Sequence, residues 1–316
     1  MNLNKKLLLL IVLIVFTIIY LDLFQEQKNK DIVEEMGLIK SFFCRIENCE
    51  QQLIEITNNS QTLFCAFYDI TNEKIIEHLK KENAEIITHN NEEFEKINTN
   101  GLMHHKFCVI NNTYVITGSY NPTQINNHHE NLILIESPTI ANNYIKEFEQ
   151  LRKINQDKQN KKEKTRTNKI IFNNYTLENY FCPQDNCKQQ VLEKIKSANQ
   201  TIKFMLFTFT DQDIAKEIVK KHEEGIKVKG IIENFQNKRY WQVPTLEENN
   251  VTFKIHSARE LQHNKIFIID NIVITGSYNP TRAANTINDE NILVITQPEI
   301  VQEYKEYFLQ VYEEIN

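Results

Sequence analysis

The sequence Gln-His-Asn-Lys-Ile-Phe-Ile-Ile-Asp at residues 262–270 is followed by Gly-Ser-Tyr-Asn-Pro-Thr at residues 276–281. The related sequence Met-His-His-Lys-Phe-Cys-Val-Ile-Asn at residues 103–111 is followed by the same six residues at 118–123. Packing can fix apolar positions, but it has no reason to restore His, Lys, Ser and Asn in the same order twice. Each copy therefore carries a candidate half of one functional site.

The duplication extends on both sides of these motifs. The mirrored pairs are Cys44 and Cys182, Cys49 and Cys187, Glu130 and Glu290, Asn131 and Asn291, and Tyr144 and Tyr304. A repeat of this length is too long for a solenoid, whereas it fits two tandem domains of ordinary size. Hydrophobic residues make up 41% of the chain, so each half can bury a core.

The motifs resemble the signature of the phospholipase D superfamily, H-x-K-x4-D followed by G-S-x-N and a later Glu. His263, Lys265 and Asp270 match this signature fully, whereas the first copy has Asn111 at the position of the Asp. The compact repeats resemble the nuclease-like and mitochondrial cardiolipin hydrolase-like branch. The resemblance implies two α/β sandwich domains that pack with pseudo-twofold symmetry.

The apolar pattern independently favours an α/β fold in each half. Short β-branched runs predict strands, and amphipathic stretches between them predict helices at residues 72–81 and 211–224. The predicted strands are residues 63–67, 107–110, 114–116, 202–209, 266–269 and 272–274. Asn and Asp residues between the paired strands predict hairpin turns.

The candidate catalytic residues come from both copies. They are His104, Lys106, Ser119, Asn121, Glu130, His263, Lys265, Asp270, Ser277, Asn279 and Glu290. Because strand residues alternate between faces, the His and Lys of each H-x-K motif point to the same side. Lysine and asparagine side chains can bind phosphoryl oxygens, while the glutamates can orient the imidazoles.

This set of residues suits a two-step reaction at a phosphodiester. One histidine can attack phosphorus while the other protonates the leaving oxygen and later activates water. By resemblance to tandem members of the family, His104 is assigned as the nucleophile and His263 as the general acid/base, although the roles could be reversed. Neither a cofactor nor a metal ion is required for these steps.

Residues around the motifs receive less direct roles. In the family the Asp at the position of Asn111 mostly supports the local structure away from the phosphate. His105, His128 and His129 lack counterparts in the second half, so we expect them to be incidental or to lie at the rim.

An apolar segment near the N-terminus begins at Leu7 and ends at Phe24, with Asp22 as its only charged residue. Its length is at the short end of what a membrane-spanning helix needs. A cleaved signal peptide is the alternative, but no small-residue cleavage site follows the run. Lys5 and Lys6 precede it, so the positive-inside rule predicts a single-pass anchor with the catalytic domains on the extracytoplasmic side.

The remaining boundaries follow from composition. We predict an anchor and spacer at residues 1–30, a first domain at 31–151, a basic linker at 152–169 and a second domain at 170–316. Lysines dominate the linker, which indicates a solvated segment; a tether to anionic lipid or nucleic acid is the alternative. Because both half-sites lie in one chain, we expect a monomer.

The cysteines leave two interpretations open. Cys44 with Cys49, and Cys182 with Cys187, could form local disulfides in an oxidising compartment. Buried free thiols fit the sequence equally well, whereas zinc sites usually have a shorter spacing and four ligands.

The sequence predicts a metal-independent phosphodiesterase that acts through a covalent phosphohistidine, most readily by phospholipase D-type hydrolysis of a phospholipid. A membrane-anchored endonuclease of the same superfamily is one alternative, although a net charge of −6 gives no support to an extended basic surface. A lipid- or nucleic-acid-binding module with weak catalysis is the other. The aromatic residues Phe235, Tyr240 and Trp241 could stack on bases, enter lipid or pack a loop.

Overall fold

The computed structural model describes residues 32–125, 127–235 and 238–315, together with the single residue Ile11. The predicted membrane segment therefore lies outside the described residues except for Ile11. Among the residues that are described, no helix is both long and apolar enough to cross a bilayer. The anchor remains a prediction from sequence.

The first half contains short strands joined by helices. Its strands are β1 (Val33–Glu35), β2 (Ile39–Phe43), β3 (Leu63–Phe67), β4 (Glu85–Thr88), β5 (Glu95–Lys96), β6 (Lys106–Ile110), β7 (Tyr114–Gly118) and β8 (Asn131–Glu136). Its helices are α1 (Cys44–Glu47), α2 (Cys49–Thr57), α3 (Glu73–Lys81) and α4 (Pro138–Gln156).

The second half repeats this sequence of elements. Its strands are β9 (Lys169–Phe172), β10 (Tyr175–Cys182), β11 (Thr201–Leu206), β12 (Lys227–Glu233), β13 (Thr252–His256), β14 (Lys265–Ile269), β15 (Ile272–Gly276) and β16 (Glu290–Ile295). Its helices are α5 (Cys187–Lys196), α6 (Gln212–Glu223), α7 (Val243–Glu248), α8 (Arg282–Thr286) and α9 (Pro298–Glu314).

The two halves form two mixed sheets with the same topology. One sheet has the strand order β2-β8-β7-β6-β3-β4-β5, and the other has β10-β16-β15-β14-β11-β12-β13. The second sheet continues through β9 to β1, which comes from the start of the described chain and pairs with β9 in parallel. The α/β fold with two sheets, predicted from the sequence, is confirmed.

The local predictions hold with small differences. Asn72 and Asp211 cap the predicted helices by accepting hydrogen bonds from backbone N–H groups of the first turn. Asn111 and Asn112 turn between β6 and β7 with positive φ, as a tight hairpin requires. The strand expected at residues 202–209 ends at Leu206, because Phe207 leaves the sheet and faces His263.

The two sheets share one apolar core. It includes Phe107 and Tyr144 from the first half and Ile266 and Tyr304 from the second, all nearly inaccessible to solvent. Helix α4 packs against β3, β6 and β7, while α9 packs against β11, β14 and β15 and also against β2 of the first half. Burial of this shared surface is the main force that holds the two half-sites together.

Candidate active site

The two H-x-K motifs lie at the beginnings of equivalent strands, and the opposite half fixes each one. The backbone N–H of His104 donates to the carbonyl of Asp289 at 2.9 Å, and that of His263 donates to the carbonyl of His129 at 2.9 Å. Each acceptor directly precedes the glutamate of its own half. These two backbone bonds bring the start of β6 next to Glu290 and the start of β14 next to Glu130.

The imidazoles and carboxylates pair across the two halves. Nδ1 of His104 lies 2.8 Å from Oε2 of Glu290, and Nδ1 of His263 lies 2.6 Å from Oε1 of Glu130. Both glutamates are buried, while the histidines are 8% and 9% exposed. A carboxylate at Nδ1 accepts the proton there and leaves the lone pair of Nε2 for chemistry. Neither half alone contains a complete pair.

The two lysines form the positive part of the site. Nζ of Lys106 donates to the carbonyl of His104 at 2.7 Å, and Nζ of Lys265 donates to that of His263 at 2.6 Å. Burial, together with the charges of both lysines, holds the pKa of each histidine well below its usual range. Both imidazoles are therefore neutral near pH 7 and can act as nucleophiles.

Burial also shifts the carboxyl and ammonium groups toward their neutral forms. It raises the pKa of Glu130 to about 8 and that of Glu290 to about 7, against the opposing charges of the lysines. It lowers the pKa of Lys106 to about 8 and holds that of Lys265 well below its usual range. Such a cluster of perturbed groups of both signs is typical of an active site. A positive charge on either imidazole favours the carboxylate form of the glutamate bonded to it.

The Gly-Ser-x-Asn turns lie at the ends of β7 and β15, next to the strands that begin at or beside the two glutamates. A side chain at Gly118 or Gly276 would collide with the carbonyl of Asn131 or Asn291, at 2.1 and 2.2 Å from the added carbon. Glycine therefore lets neighbouring strands approach closely at this point.

The serine and asparagine that follow each glycine contribute differently. Ser277 donates to Oε2 of Glu290 at 2.6 Å, whereas Ser119 donates to Oδ1 of Asn131 at 3.1 Å. The backbone N–H of Thr208 donates to Oδ1 of Asn279 at 3.3 Å, and the backbone N–H of Asn121 donates to Glu130 at 3.4 Å. Because the Oδ1 of Asn279 accepts this bond, its Nδ2 group stays available to donate hydrogen bonds.

Sequence analysis did not assign roles to Asn131 and Asn291, which follow the glutamates. Nδ2 of Asn131 donates to the hydroxyl of Tyr304 at 2.8 Å, and Nδ2 of Asn291 donates to that of Tyr144 at 2.9 Å. Each bond crosses between the halves. All four residues belong to the mirrored pairs of the sequence, and that duplication was the signal that could have identified them.

Asp270, which the motif places in the catalytic set, lies away from the site. It stands at the end of β14 opposite Lys265, and its carboxylate accepts backbone N–H groups of Asn199, Gln200 and Thr201 at 2.7 to 3.0 Å. Asn111 has the equivalent place and accepts from Gln61 and Thr62 at 2.7 and 3.2 Å. An amide oxygen thus substitutes for the carboxylate as an acceptor, and Asp270 supports the turn instead of the chemistry.

The expectation that His105 and His129 lie at the rim is wrong, because both are buried. Nε2 of His105 lies 3.0 Å from Oε1 of Glu147, on α4. Nδ1 of His129 lies 3.2 Å from the hydroxyl of Tyr307, on α9, and its Nε2 lies 2.7 Å from the guanidinium of Arg45. They form part of the layer directly behind the catalytic pairs.

The linker is not solvated throughout. The side chain of Lys162 is 7% exposed and forms ion pairs with Glu147 and with Asp289, the latter at 2.6 Å. Although burial opposes it, the ammonium of Lys162 holds the pKa of Glu147 at about 2. Composition favoured a solvated segment here, but it could not show that one lysine folds back onto buried carboxylates.

Disulfides support the same region. Cys44 is bonded to Cys49 and Cys182 to Cys187. The backbone N–H of Cys44 donates to the carbonyl of Glu130, and Cys182 pairs with Glu290 in the sheet. A third disulfide joins Cys65 to Cys108 across β3 and β6. The repeat gave no signal for it, because Phe204 and Phe267 occupy the equivalent positions.

No group of three or more His, Cys, Asp or Glu side chains within the described ranges is arranged to hold a metal ion.

Two pseudo-symmetric half-sites with crossed His and Glu residues, each on its own mixed sheet of the same topology, define a class of duplicated α/β proteins with one composite site. The chain belongs to the phospholipase D-like family: the family model described as "Cardiolipin synthase, PLD-like domain" matches residues 52–152 and 191–312.

Among curated proteins, the chain is 26% identical over 137 residues to a mitochondrial cardiolipin hydrolase of Chlamydomonas reinhardtii. It is 28% identical over 131 residues to a phospholipase D of Rickettsia conorii. These alignments cover 40% and 41% of this chain and 61% and 66% of the two relatives. Among solved structures, phosphatidylserine synthase of Haemophilus influenzae has the same fold, with a TM-score of 0.69, 12% identity and 92% coverage of both chains.

Proposed function

We propose that the protein hydrolyses phosphodiesters through a covalent phosphohistidine, without a metal ion, and that its substrate is a phospholipid. The observation that carries this proposal is the crossed pairing of His104 with Glu290 and of His263 with Glu130. Two imidazoles with bound carboxylates and two lysines at one opening supply a nucleophile, an acid and charge stabilisation together. A module that only binds phosphate needs no such pairs.

In the first step, Nε2 of His104 forms a bond to phosphorus and the bond from phosphorus to the leaving oxygen breaks. Glu290 accepts the Nδ1–H of His104 and stabilises the positive charge that develops on the ring. Both imidazoles are neutral before substrate binds, so His263 takes up a proton as the anionic phosphodiester enters, and Glu130 stabilises the resulting imidazolium. Nε2 of His263 then gives this proton to the departing alkoxide.

In the second step, His263 is neutral and takes a proton from water as the water oxygen attacks phosphorus. The bond between phosphorus and His104 then breaks, which releases the phosphomonoester and restores both histidines. The charges of Lys106 and Lys265 act on both histidines and offset the negative charge on the phosphoryl oxygens in both steps.

The names of the curated relatives support a phospholipid over a nucleic acid, since both refer to lipid hydrolysis. The predicted N-terminal anchor supports the same choice because it would keep the cleft beside a bilayer. We also propose a single-pass location with the domains on the extracytoplasmic side. The three disulfides support that side, since such bonds persist in oxidising compartments.

The test is one assay panel on the purified full chain in detergent micelles, with phosphatidylcholine, cardiolipin and single-stranded DNA offered in excess EDTA. We expect release of a phosphatidic acid product and no DNA cleavage. Cleavage of DNA without hydrolysis of either lipid would contradict a phospholipid substrate. Activity that disappears in EDTA and returns with Mg²⁺ would contradict the metal-free mechanism. Mass spectrometry of unreduced peptides from native membranes tests the location, where free thiols at all six cysteines would contradict it.

A further inference from the structure

The two halves differ clearly in the loop that follows β4 in the first half and β12 in the second, each of which is the second strand along from an H-x-K strand. In the first half this loop runs from the end of β4 to the start of β5, residues 89–94, and includes Glu92 and Glu93. In the second half the chain between β12 and β13, residues 234–251, is much longer and contains α7. Its first part carries aromatic and basic side chains in place of glutamates.

We call Phe235, Lys238, Arg239, Tyr240 and Trp241 the aromatic–basic loop. Phe235 is 70% exposed and Tyr240 is 56% exposed, although both are large apolar residues. Nζ of Lys238 lies 5.4 Å from the ring centre of Trp241, and the guanidinium of Arg239 lies 5.2 Å from that of Tyr240. Each cation is thus held beside a ring, so the loop presents alternating charge and apolar surface.

The loop begins and ends beside segments that contact His263. It leaves the sheet at Glu233, whose Oε2 accepts the backbone N–H of Gln262 at 2.7 Å, directly before His263. It returns at Gln242, whose backbone N–H donates to the carbonyl of Phe209 at 3.0 Å. The ring of Phe207, two residues earlier, lies 4.5 Å from that of His263. Both ends of the loop are therefore attached to the elements that hold His263.

We infer that the aromatic–basic loop docks on an anionic lipid surface and brings the second half-site against the headgroups. This inference rests on the proposed function, because it identifies how the same site meets its substrate. Aromatic rings partition into the boundary between headgroups and acyl chains, and Lys and Arg gain from an anionic surface beside them. The apolar residues 7–24 would hold the domains close to such a surface.

Charge favours a lipid surface over a nucleic acid for this loop. The corresponding loop of the first half carries Glu92 and Glu93, each paired with a lysine, and so adds no net positive charge for a polynucleotide that spans both halves. The chain as a whole has a net charge of −6. Two cations beside exposed rings are enough for local contact with a bilayer, whereas binding along a strand needs a continuous basic groove.

Trp241 provides a direct test because it is the only tryptophan of the chain. The full chain is added to phosphatidylcholine vesicles with or without phosphatidylglycerol, and brominated lipids serve as quenchers of its fluorescence. We expect strong quenching by brominated lipid when phosphatidylglycerol is present, and much weaker quenching in phosphatidylcholine alone. Equal quenching in both membranes, or quenching only by single-stranded DNA, would overturn the inference.

Two double variants separate the contributions of the loop. Lys238→Ala with Arg239→Ala removes two cations, and Phe235→Ser with Tyr240→Ser removes the exposed rings, while Trp241 stays in place. Each should abolish most of the lipid quenching. With about 1 kcal/mol for each charge near an anionic surface, the first variant should lower kcat/KM on phosphatidylglycerol-containing vesicles by about 30-fold.

The matched control is Tyr175→Ser with Lys305→Glu. Tyr175 begins β10, whose other end pairs with Glu290, and Lys305 contacts Asn271 in the turn between β14 and β15. Both lie at the opposite end of the second sheet from the site, so this variant should behave as the wild type. Loop variants that match the control in quenching and in vesicle activity would refute the docking surface.

A soluble substrate keeps this test separate from the proposed function. Turnover of bis(p-nitrophenyl) phosphate requires the catalytic residues but no membrane, so it should change less than about twofold in the loop variants. An equal loss on vesicles and on the soluble diester would show a catalytic defect and overturn the docking role. Absence of all turnover in the wild type would reject the proposed function, while Trp241 quenching would still decide the docking.

Discussion

The two halves of the molecule are alike in the direct contacts of His104 and His263, but they differ in the buried residues that pack behind these histidines. Each histidine of the H-x-K motifs meets a glutamate and a backbone carbonyl of the other half, and each has a lysine two residues later. Behind His104, however, Lys162 forms ion pairs with Glu147 and Asp289, and His105 bonds to Glu147.

Behind His263 the equivalent layer contains Asn264, Tyr307 and His129, with Arg45 at its exposed end. Burial and the charge of Arg45 lower the pKa of His129 to about 3, so this layer is neutral apart from the arginine. Duplication has kept the groups that would act on a phosphodiester, whereas their support has diverged. The two histidines can therefore have different roles despite the same immediate contacts.

The largest effects should follow from removing the crossed carboxylates. Glu290→Gln and Glu130→Gln should each lower kcat on phospholipid by about 10³- to 10⁴-fold, because the amide can hold the wrong tautomer of its histidine. With bis(p-nitrophenyl) phosphate, whose leaving group needs no proton, Glu130→Gln should keep a burst of one turnover and Glu290→Gln should lose it.

Stopped-flow absorbance of p-nitrophenol measures this burst, and Glu299→Gln on the exposed surface of α9 serves as the control. A burst in Glu290→Gln and none in Glu130→Gln would exchange the roles of the two halves.

The supporting layers should differ strongly in what they contribute to stability. Lys162→Met leaves Glu147 and Asp289 buried without their cation, which should lower the free energy of unfolding by about 3 to 5 kcal/mol. Arg45→Met removes an exposed cation from a neutral layer and should cost less than about 1 kcal/mol. Urea unfolding midpoints measure both, with the exposed neighbour Lys161→Met as the control.

Combining Lys162→Met with Glu147→Gln should recover part of the loss, since the second change removes one of the unpaired charges. Equal losses for Lys162→Met and Arg45→Met would remove the distinction between the two layers.

The lysines predict an alkaline limit to activity. The pKa of Lys106 is about 8, and an ammonium group is charged below its pKa and neutral above it. The site therefore loses positive charge as the pH rises through about 8, and kcat/KM should fall there. A bound phosphodiester favours the charged form of the lysine, so the alkaline decrease in kcat should occur at higher pH than the decrease in kcat/KM.

Lys106→Arg and Lys265→Arg keep the charge at every pH, so at least one of them should move the alkaline limb of kcat/KM upward. The variant that moves it identifies which half loses its charge first. If kcat/KM falls at the same pH in both variants as in the wild type, another group causes the decrease.

The smallest effects should come from the two turns. Asn111→Asp should stabilise the first half, and Asp270→Asn should destabilise the second, each by about 1 kcal/mol, because a carboxylate is a stronger acceptor for backbone N–H groups. Activity should stay within about twofold in both variants, since neither side chain faces the opening. A loss of activity above tenfold in Asp270→Asn would return this residue to the catalytic set.

The sequence predicted most of the immediate site because duplication marks polar residues that packing does not require. His104, Lys106, Glu130 and their counterparts lie where the motifs indicated. Their crossed pairing could not be predicted, because a pattern along one chain does not show which half supplies the partner. Asp270 was misplaced because the motif groups it with the histidine, although four strand residues separate it from Lys265.

Features found in only one half were the hardest to predict. Lys162 looked like one of several solvated lysines, because composition does not reveal which side chain meets a buried carboxylate. The disulfide between Cys65 and Cys108 depends on the register of β3 with β6, which neither cysteine shows by itself. Glu147 and Tyr307 occupy equivalent places on α4 and α9. The difference between these two residue types did not reveal that one contacts buried charged groups and the other contacts neutral ones.

In the proposed mechanism His104 becomes phosphorylated while His263 only moves protons, and trapping the intermediate distinguishes these two roles. His263→Ala is mixed with bis(p-nitrophenyl) phosphate, quenched under alkaline conditions that preserve phosphohistidine, and its peptides are examined by mass spectrometry. We expect one equivalent of label on the peptide that contains His104, and none in His104→Ala. Label on His263 in the His104→Ala variant, or no label in either variant, would contradict it.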